Sequence, residues 1–245
     1  FDPNDAYKLT SDKYINELKK NVEKILKEEN VKVEIPDAWY TEGGLDNLPE
    51  AIHDNSDLVD ALGSARVNIL MKTWRNPVIA DNYEPGSTFK ALVLAAALEE
   101  GVVSESDTFY CPGYYMVEGW PKPISCSKKA PGHGTQTLAE AVQNSCNPAF
   151  MMIGQRLGAE KFYDYFEAFG MTEVTGIDLP GEEKGQDWGR EYITSLEGYL
   201  SLATASFGQR FTVTPLQMIT AFSAVINGGN LYQPYVVQSL SLIHI

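Results

Sequence analysis

The sequence predicts an α+β fold, rich in helix and poor in strand. Helix start and stop signals follow one another closely after Arg75, while only three short stretches carry the aromatic and β-branched texture of strands. With 245 residues, 44% of them hydrophobic and 11% aromatic, the chain can bury a sizeable core as one domain, or one domain with an insertion.

The elements follow in order. Residues 11–29 read as an amphipathic helix, because Ile15, Leu18, Val22 and Ile25 recur at steps of three and four between Lys and Glu. Glu34 to Asp60 holds eight carboxylates and no Lys or Arg, which reads as a solvated insertion rather than a binding surface. Ser87 to Glu100 reads as a helix closed by Gly101. Thr137, with Glu140 three residues on, forms a capping box that opens a helix at Leu138. Another helix runs from about Pro148 to Leu157 and stops at Gly158, and a further one runs to Phe169 before Gly170. Thr214 and Pro215 supply the cap and first residue of a last helix, which Gly228-Gly229 ends. The strand-like pieces are Thr108–Tyr110, Tyr114–Val117 and Leu231–Val237.

Composition excludes several functions. A formal charge of -14 opposes binding to a nucleic-acid backbone, which needs clustered Lys and Arg. No apolar run reaches the length of a membrane span. Cys111, Cys126 and Cys146 match no zinc spacing, and His53 and His133 leave little material for a metal site or a Ser-His-Asp triad. Residues 240–245, Leu-Ser-Leu-Ile-His-Ile, are the in-frame translation of a sequencing adaptor and are set aside as a library artefact.

Two constellations carry chemistry. In Ser87-Thr-Phe-Lys90 the spacing of three puts serine and lysine on one helical face, just after Pro85-Gly86 has delivered the chain to a helix start. First-turn N–H groups and the positive end of the helix dipole can stabilise an oxyanion there. A plain N-cap serine would be answered by Glu or Gln three residues on. Here that position is Lys90, a cation where the dipole disfavours one, and the same dipole helps lower its pKa toward that of a base. Ser125-Cys-Ser-Lys128 repeats the spacing with no helix behind it and reads as coincidence.

The second constellation is Ser145-Cys-Asn147. Pro148 biases Asn147 toward extended backbone, and alternate residues of an extended segment face one way, so Ser145 and Asn147 can share a cleft. Alone, Asn147 reads as the cap of the helix that starts at Pro148. Beside a helical Ser-x-x-Lys the functional reading takes over.

Glu84–Lys90, Gly132–Leu138, Asn144–Phe150, Thr175–Gly181, Ala205–Gln209 and Thr212–Gln217 together resemble class B penicillin-binding proteins, in the family's order and spacing. The resemblance covers about Trp74 to Ser239, and Phe1–Asn4 is similar to the segment after the family's first sheet hairpin. It implies a helix-rich fragment of the serine D,D-transpeptidase and β-lactamase-like fold, with most of the antiparallel sheet missing. Residues 1–5 would be a remnant of the N-terminal core, 6–70 an acidic, partly helical insertion, and 71–239 the transpeptidase domain without its C-terminal strands.

By resemblance, Ser87 attacks the D-Ala-D-Ala amide of a peptidoglycan stem peptide, Lys90 is its base, Ser145 relays a proton to the leaving amine, and Asn147 hydrogen-bonds substrate. No metal or organic cofactor is needed. The implied partners are stem peptides, β-lactam antibiotics and a cell-wall glycosyltransferase. The implied location is the outer face of the bacterial cytoplasmic membrane, on a parent anchored by a segment outside these residues. One departure stands out: the family's Lys-Thr-Gly is absent, and Lys72-Thr73-Trp74 precedes the serine. The expectation is that the gene continues past Ser239 and that this piece alone acylates poorly.

A serine β-lactamase or a β-lactam sensor of the same fold, or a non-catalytic cell-wall scaffold, are the alternatives. No Glu-x-x-Leu-Asn-like segment follows Asn147 to supply a deacylating base. In the oxidising compartment the resemblance implies, Cys111 and Cys126 are expected to bridge across a hairpin, with Cys146 left free. Three buried thiols are the alternative.

Overall fold

The computed structural model describes residues 7–238. The core remnant read at 1–5 and the adaptor read at 240–245 lie outside them. The chain divides at Asn76–Pro77 into two compact units.

The first unit holds α1 (Asp12–Glu28), α2 (Asp37–Glu42), α3 (Glu50–His53) and α4 (Ser56–Trp74). Leu18, Val22 and Leu26 form the buried stripe of α1, which packs on α4. Asn55 caps α4 by accepting the Leu58 N–H. Arg66, only 8% exposed, donates to the carbonyls of Tyr7, Trp39 and Thr41 and so ties three backbone oxygens together. The eight carboxylates between Glu34 and Asp60 are all exposed.

The second unit begins with α5 (Pro77–Ala80), a 3-10 turn (Gly86–Phe89) and α6 (Lys90–Glu99). Strands β1 (Thr108–Cys111), β2 (Tyr114–Tyr115), β3 (Ile124–Ser125) and β4 (Gly134–Thr137) come next. Then follow α7 (Leu138–Gln143), α8 (Asn147–Leu157), α9 (Ala159–Ala168), α10 (Arg190–Ile193), α11 (Tyr199–Ala205) and α12 (Pro215–Ile226). The strands form two antiparallel pairs, β1 with β4 (Cys111 opposite Gly134) and β2 with β3 (Tyr114 opposite Ser125). This is the helix-rich α+β architecture expected.

Helix α6 is apolar on nearly every side and is correspondingly central, burying Leu92, Val93, Ala96 and Ala97 among α8, α9 and α12. Phe89 anchors its start in an aromatic cluster with Phe162, Phe166 and Phe211, the last ring centroid 4.8 Å away. Both capping boxes form, Thr137 with Glu140 and Thr214 with Gln217.

Two strand expectations are corrected. Leu231–Val237 is not a strand, because the Asp178 carboxylate takes the N–H groups of Val236 and Val237, each at 2.7 Å, that a ladder would use. Tyr114–Val117 shortens to two residues, since the Val117 carbonyl accepts from Trp120 N–H and turns the chain at Glu118-Gly119.

Candidate active site

Ser87 lies in the 3-10 turn that leads into α6, and the turn is held from outside. The Gly86 N–H donates to the Gly208 carbonyl at 2.7 Å, and the Glu84 carboxylate accepts the Arg210 N–H at 2.9 Å. The segments Glu84–Lys90 and Ala205–Gln209, far apart in sequence, are therefore one structure. Within the turn, Thr88 Oγ1 donates to the Pro85 carbonyl, and no side chain caps the turn. Ser87 is not an N-cap. It is exposed, with Lys90 buried one turn behind it.

Lys90 is 4% exposed, and its Nζ lies 3.1 Å from Ser87 Oγ, 3.0 Å from Ser145 Oγ, 2.7 Å from Asn147 Oδ1 and 2.8 Å from the Ser145 carbonyl. The four residues singled out in the sequence thus meet at one nitrogen. Burial disfavours the ammonium and lowers its pKa from 10.5 to about 8, against the opposing influence of Cys146 and Cys126. An ammonium has three protons for these four acceptors. A neutral amine donates to two of them and turns its lone pair to the Ser87 hydroxyl, the geometry of a base. The Phe150 ring lies beneath, its centroid 5.4 Å from Nζ.

Ser145 and Asn147 face the lysine together, but not through an extended segment. Ser145 is left-handed, φ 49, at the end of α7, where its N–H bonds the Val142 carbonyl and the Cys146 N–H bonds the Ala141 carbonyl. That pattern terminates helices and usually places glycine in the left-handed position. Cys146 is extended, and α8 starts at Asn147 itself, so Asn147 is not the cap either. Serine occupies a position where it is strained, and its Oγ is thereby aimed at Lys90.

Sequence reasoning passed over Ser125. Its carbonyl accepts from Asn147 Nδ2 at 3.5 Å, so the dismissed Ser125–Lys128 match borders the site through backbone rather than through its serine and lysine.

The expected Cys111–Cys126 bridge is not formed, and all three cysteines are buried free thiols. The hairpin between them does form. It lays Cys126 alongside Gly113, with its sulfur among those of Cys111 and Cys146 and the His133 ring. Burial pushes the Cys146 thiol up to about 12. Burial also raises Cys126, but hydrogen bonds from the Lys128 and Asn147 amides and the Ser127 and Cys111 side chains together outweigh it and hold that thiol below its ordinary value. The residues that spacing gave no reason to join as metal ligands therefore lie together.

Residues 50–242 match the family model described as the penicillin binding protein transpeptidase domain, so the match opens inside the stretch 6–70 that the sequence sets apart. Stage V sporulation protein D of Bacillus subtilis (strain 168) is 47% identical over 165 residues, 67% of this chain and 24% of its own length. The peptidoglycan D,D-transpeptidase MrdA of Escherichia coli (strain K12) is 26% identical over 196 residues, 76% of this chain and 31% of its own. Among solved structures, PBP2 of Pseudomonas aeruginosa in complex with WCK 5153 is similar with a TM-score of 0.61 at 25% identity, covering 68% of this chain and 39% of that one. Penicillin binding protein 3 of Mycobacterium tuberculosis, complexed with ampicillin, is similar with a TM-score of 0.59 at 29% identity, covering 66% and 34%. The chain spans 24% and 31% of the length of these two curated relatives.

Proposed function

The chain belongs to the penicillin-binding protein transpeptidase family, and on that premise we propose that it forms the serine-acylating centre of a peptidoglycan D,D-transpeptidase. One observation carries the reading. A buried lysine amine stands within hydrogen-bond reach of two serine hydroxyls and an asparagine carbonyl, with one of the serines, Ser87, exposed to solvent.

Neutral Lys90 takes the Ser87 proton as Oγ attacks the carbonyl of a D-Ala-D-Ala stem peptide. The Ser87 N–H, in the first helical turn, is one donor to the resulting oxyanion. Ser145, bonded to the now protonated lysine, passes a proton to the leaving amine, and the terminal D-Ala departs. The acyl group stays on Ser87 as an ester. An amine of a neighbouring stem peptide then attacks that ester and returns a proton through the same residues. A β-lactam enters the same step, its ring amide opening onto Ser87. Asn147, bonded through Oδ1 to Lys90, holds its amide NH2 toward the Ser125 carbonyl, at the edge where an extended substrate backbone would lie.

The substrate places the working protein on the outer face of the bacterial cytoplasmic membrane, beside the glycosyltransferase that makes the strands it cross-links. Among the described residues no helix is long and apolar enough to cross a membrane. The complete Lys-Ser-Ser-Asn geometry favours a catalyst over an inert scaffold.

The test is labelling of the intact protein that carries this chain with a fluorescent penicillin, followed by peptide mapping. Label on Ser87, abolished in Ser87→Ala, is the expected result. Label on another residue, or undiminished label in that variant, overturns the assignment.

A further inference from the structure

Residues 77–245 carry nine Lys and Arg side chains. Lys90 lies in the serine-lysine site. Four others are held in ion pairs: Arg156 with Asp107, Lys161 with Glu100, Lys184 with Glu173, and Arg190 with three carboxylates of α9. Lys122, Lys128, Lys129 and Arg210 remain. All four are exposed, and none has an ion pair or a side-chain hydrogen bond among the described residues.

These unpaired cations border the site. Ser125, whose carbonyl accepts from Asn147 Nδ2, lies three residues after Lys122 and three before Lys128, which is at most about 11 Å of extended chain each way. The loop that follows is held in place. The Lys128 amide faces the Cys126 sulfur, Gly132 N–H donates to the Lys129 carbonyl at 2.9 Å, and a Cβ on Gly113 would lie 2.5 Å from the Ala130 nitrogen. From Gly119 to Ala139 no carboxylate interrupts the three lysines. Arg210 lies two residues beyond Gly208, whose carbonyl takes the Gly86 N–H next to Ser87. Its φ of 68 is left-handed, a conformation a non-glycine residue adopts at a cost. The neighbouring Glu84 carboxylate is engaged by the Arg210 N–H rather than by the guanidinium.

We propose that Lys122, Lys128, Lys129 and Arg210 form an anion-recognising rim that binds carboxylates carried by the stem peptide away from its reacting amide. They are specificity-determining residues, and the inference rests on the acylation reading above.

Charge decides the occupant. In a chain of net charge -14, cations readily find carboxylates, as the four ion-paired ones do. Cations left unpaired beside one site give it a local positive field that attracts an anion. Screening confines that field to about 8 Å at physiological salt. A short acidic peptide in the site stays within it, whereas a long polyanion runs on over a surface of its own sign. The Arg210 guanidinium suits a carboxylate by its planar fork, and the lysines add point charges along the ligand.

The experiment uses the intact protein that carries this chain, with Ser87→Ala so that binding is read without acylation. Two fluorescent peptides of one sequence ending in D-Ala-D-Ala are titrated by anisotropy, one with side-chain carboxylates and one with these as primary amides. The acidic peptide should bind about tenfold tighter at 0.15 M salt, and the preference should shrink at higher salt. Lys128→Gln with Lys129→Gln, and separately Arg210→Gln, should each weaken the acidic peptide about threefold or more while leaving the amide peptide within about twofold. Lys161→Gln makes the same charge change at the Glu100 ion pair and should alter neither. Equal affinities, no binding of either peptide, equal losses for both peptides, or a Lys161→Gln effect as large as the rim's would overturn the proposal. Inorganic polyphosphate bound more tightly than the acidic peptide would assign the rim to phosphate polymers and overturn it too. Penicillin labelling of the protein with Ser87 intact keeps the two readings apart. Label at Ser87 without an acidic preference sinks the rim alone, and label elsewhere sinks the acylation reading.

Discussion

A Cβ placed on Gly208 would lie 2.0 Å from the carbonyl oxygen of Gly86. Gly208 is also left-handed, φ 81, and its own carbonyl accepts the Gly86 N–H. The approach of Ala205–Gln209 to the residue just before Ser87 thus depends on having no side chain at position 208. Gly208→Ala is expected to cost about 2–4 kcal/mol, from left-handed strain and overpacking together. It should also slow Ser87 acylation at least tenfold by displacing the turn. Thermal melting, with penicillin-labelling rates on the folded fraction, checks both. Parental values for each would show that the clasp does not set Ser87.

Lys90 gives two pH dependences with one cause. Below about 8 it is charged in both folded and unfolded chains; between about 8 and 10.5 only the unfolded chain keeps the proton. Stability contributed by this group therefore rises with pH across that window, by roughly 3 kcal/mol in all. Acylation needs the neutral amine, so its rate should climb about tenfold per unit below pH 8 and level off above it. The tyrosines and the Cys146 thiol, held above their ordinary values, act in the opposite sense at higher pH. Comparing urea denaturation of the parent with Lys90→Met at each pH isolates the lysine. A difference that does not change with pH would show that its pKa is not lowered.

Asn147 Oδ1 sits 2.7 Å from the same nitrogen, so Asn147→Asp puts a carboxylate there without altering shape. An opposite charge at that distance favours the ammonium and should raise the lysine's pKa by about 1–3 units. The midpoint of the acylation profile moves alkaline by that amount, and the rate at neutral pH falls at least tenfold. Labelling rates against pH decide the matter; an unmoved midpoint removes Lys90 from the role of base.

Much of this was legible before any coordinates. Helix ends announce themselves locally, through Thr137 with Glu140, Thr214-Pro215, and glycines at 158, 170 and 228, and these boundaries agree with the structure to within about two residues. Ser87, Lys90, Ser145 and Asn147 were legible because helical spacing and a misplaced cation leave a local signature. What failed was tertiary. The short strands β3 and β4 sit among Gly, Pro and Lys, and only their partners make them strands. Ser125 joins the site through a carbonyl, which residue type does not reveal. The Cys-His cluster has 14, 6 and 12 residues between successive members and no close Cys pair, so only the fold brings it together.

Ser145 is a non-glycine residue held left-handed at a helix end, a place where glycine is favoured by about 1 kcal/mol. Its hydroxyl makes the 3.0 Å contact with Lys90, so strain and function reside in one side chain. Ser145→Gly separates them. Removing Cβ relieves the backbone, offset in part by the freer unfolded chain, and stability should change by less than about 1 kcal/mol. The proton relay to the leaving amine goes with the hydroxyl, and acylation should fall about 100-fold or more. Ser145→Ala loses the same hydroxyl but keeps the strain, so it should match the glycine variant in labelling rate and melt no higher. A glycine variant that labels at the parental rate would place the relay elsewhere. A glycine variant that unfolds several kcal/mol more easily would mean that the Oγ–Lys90 contact stabilises the fold more than the left-handed backbone strains it.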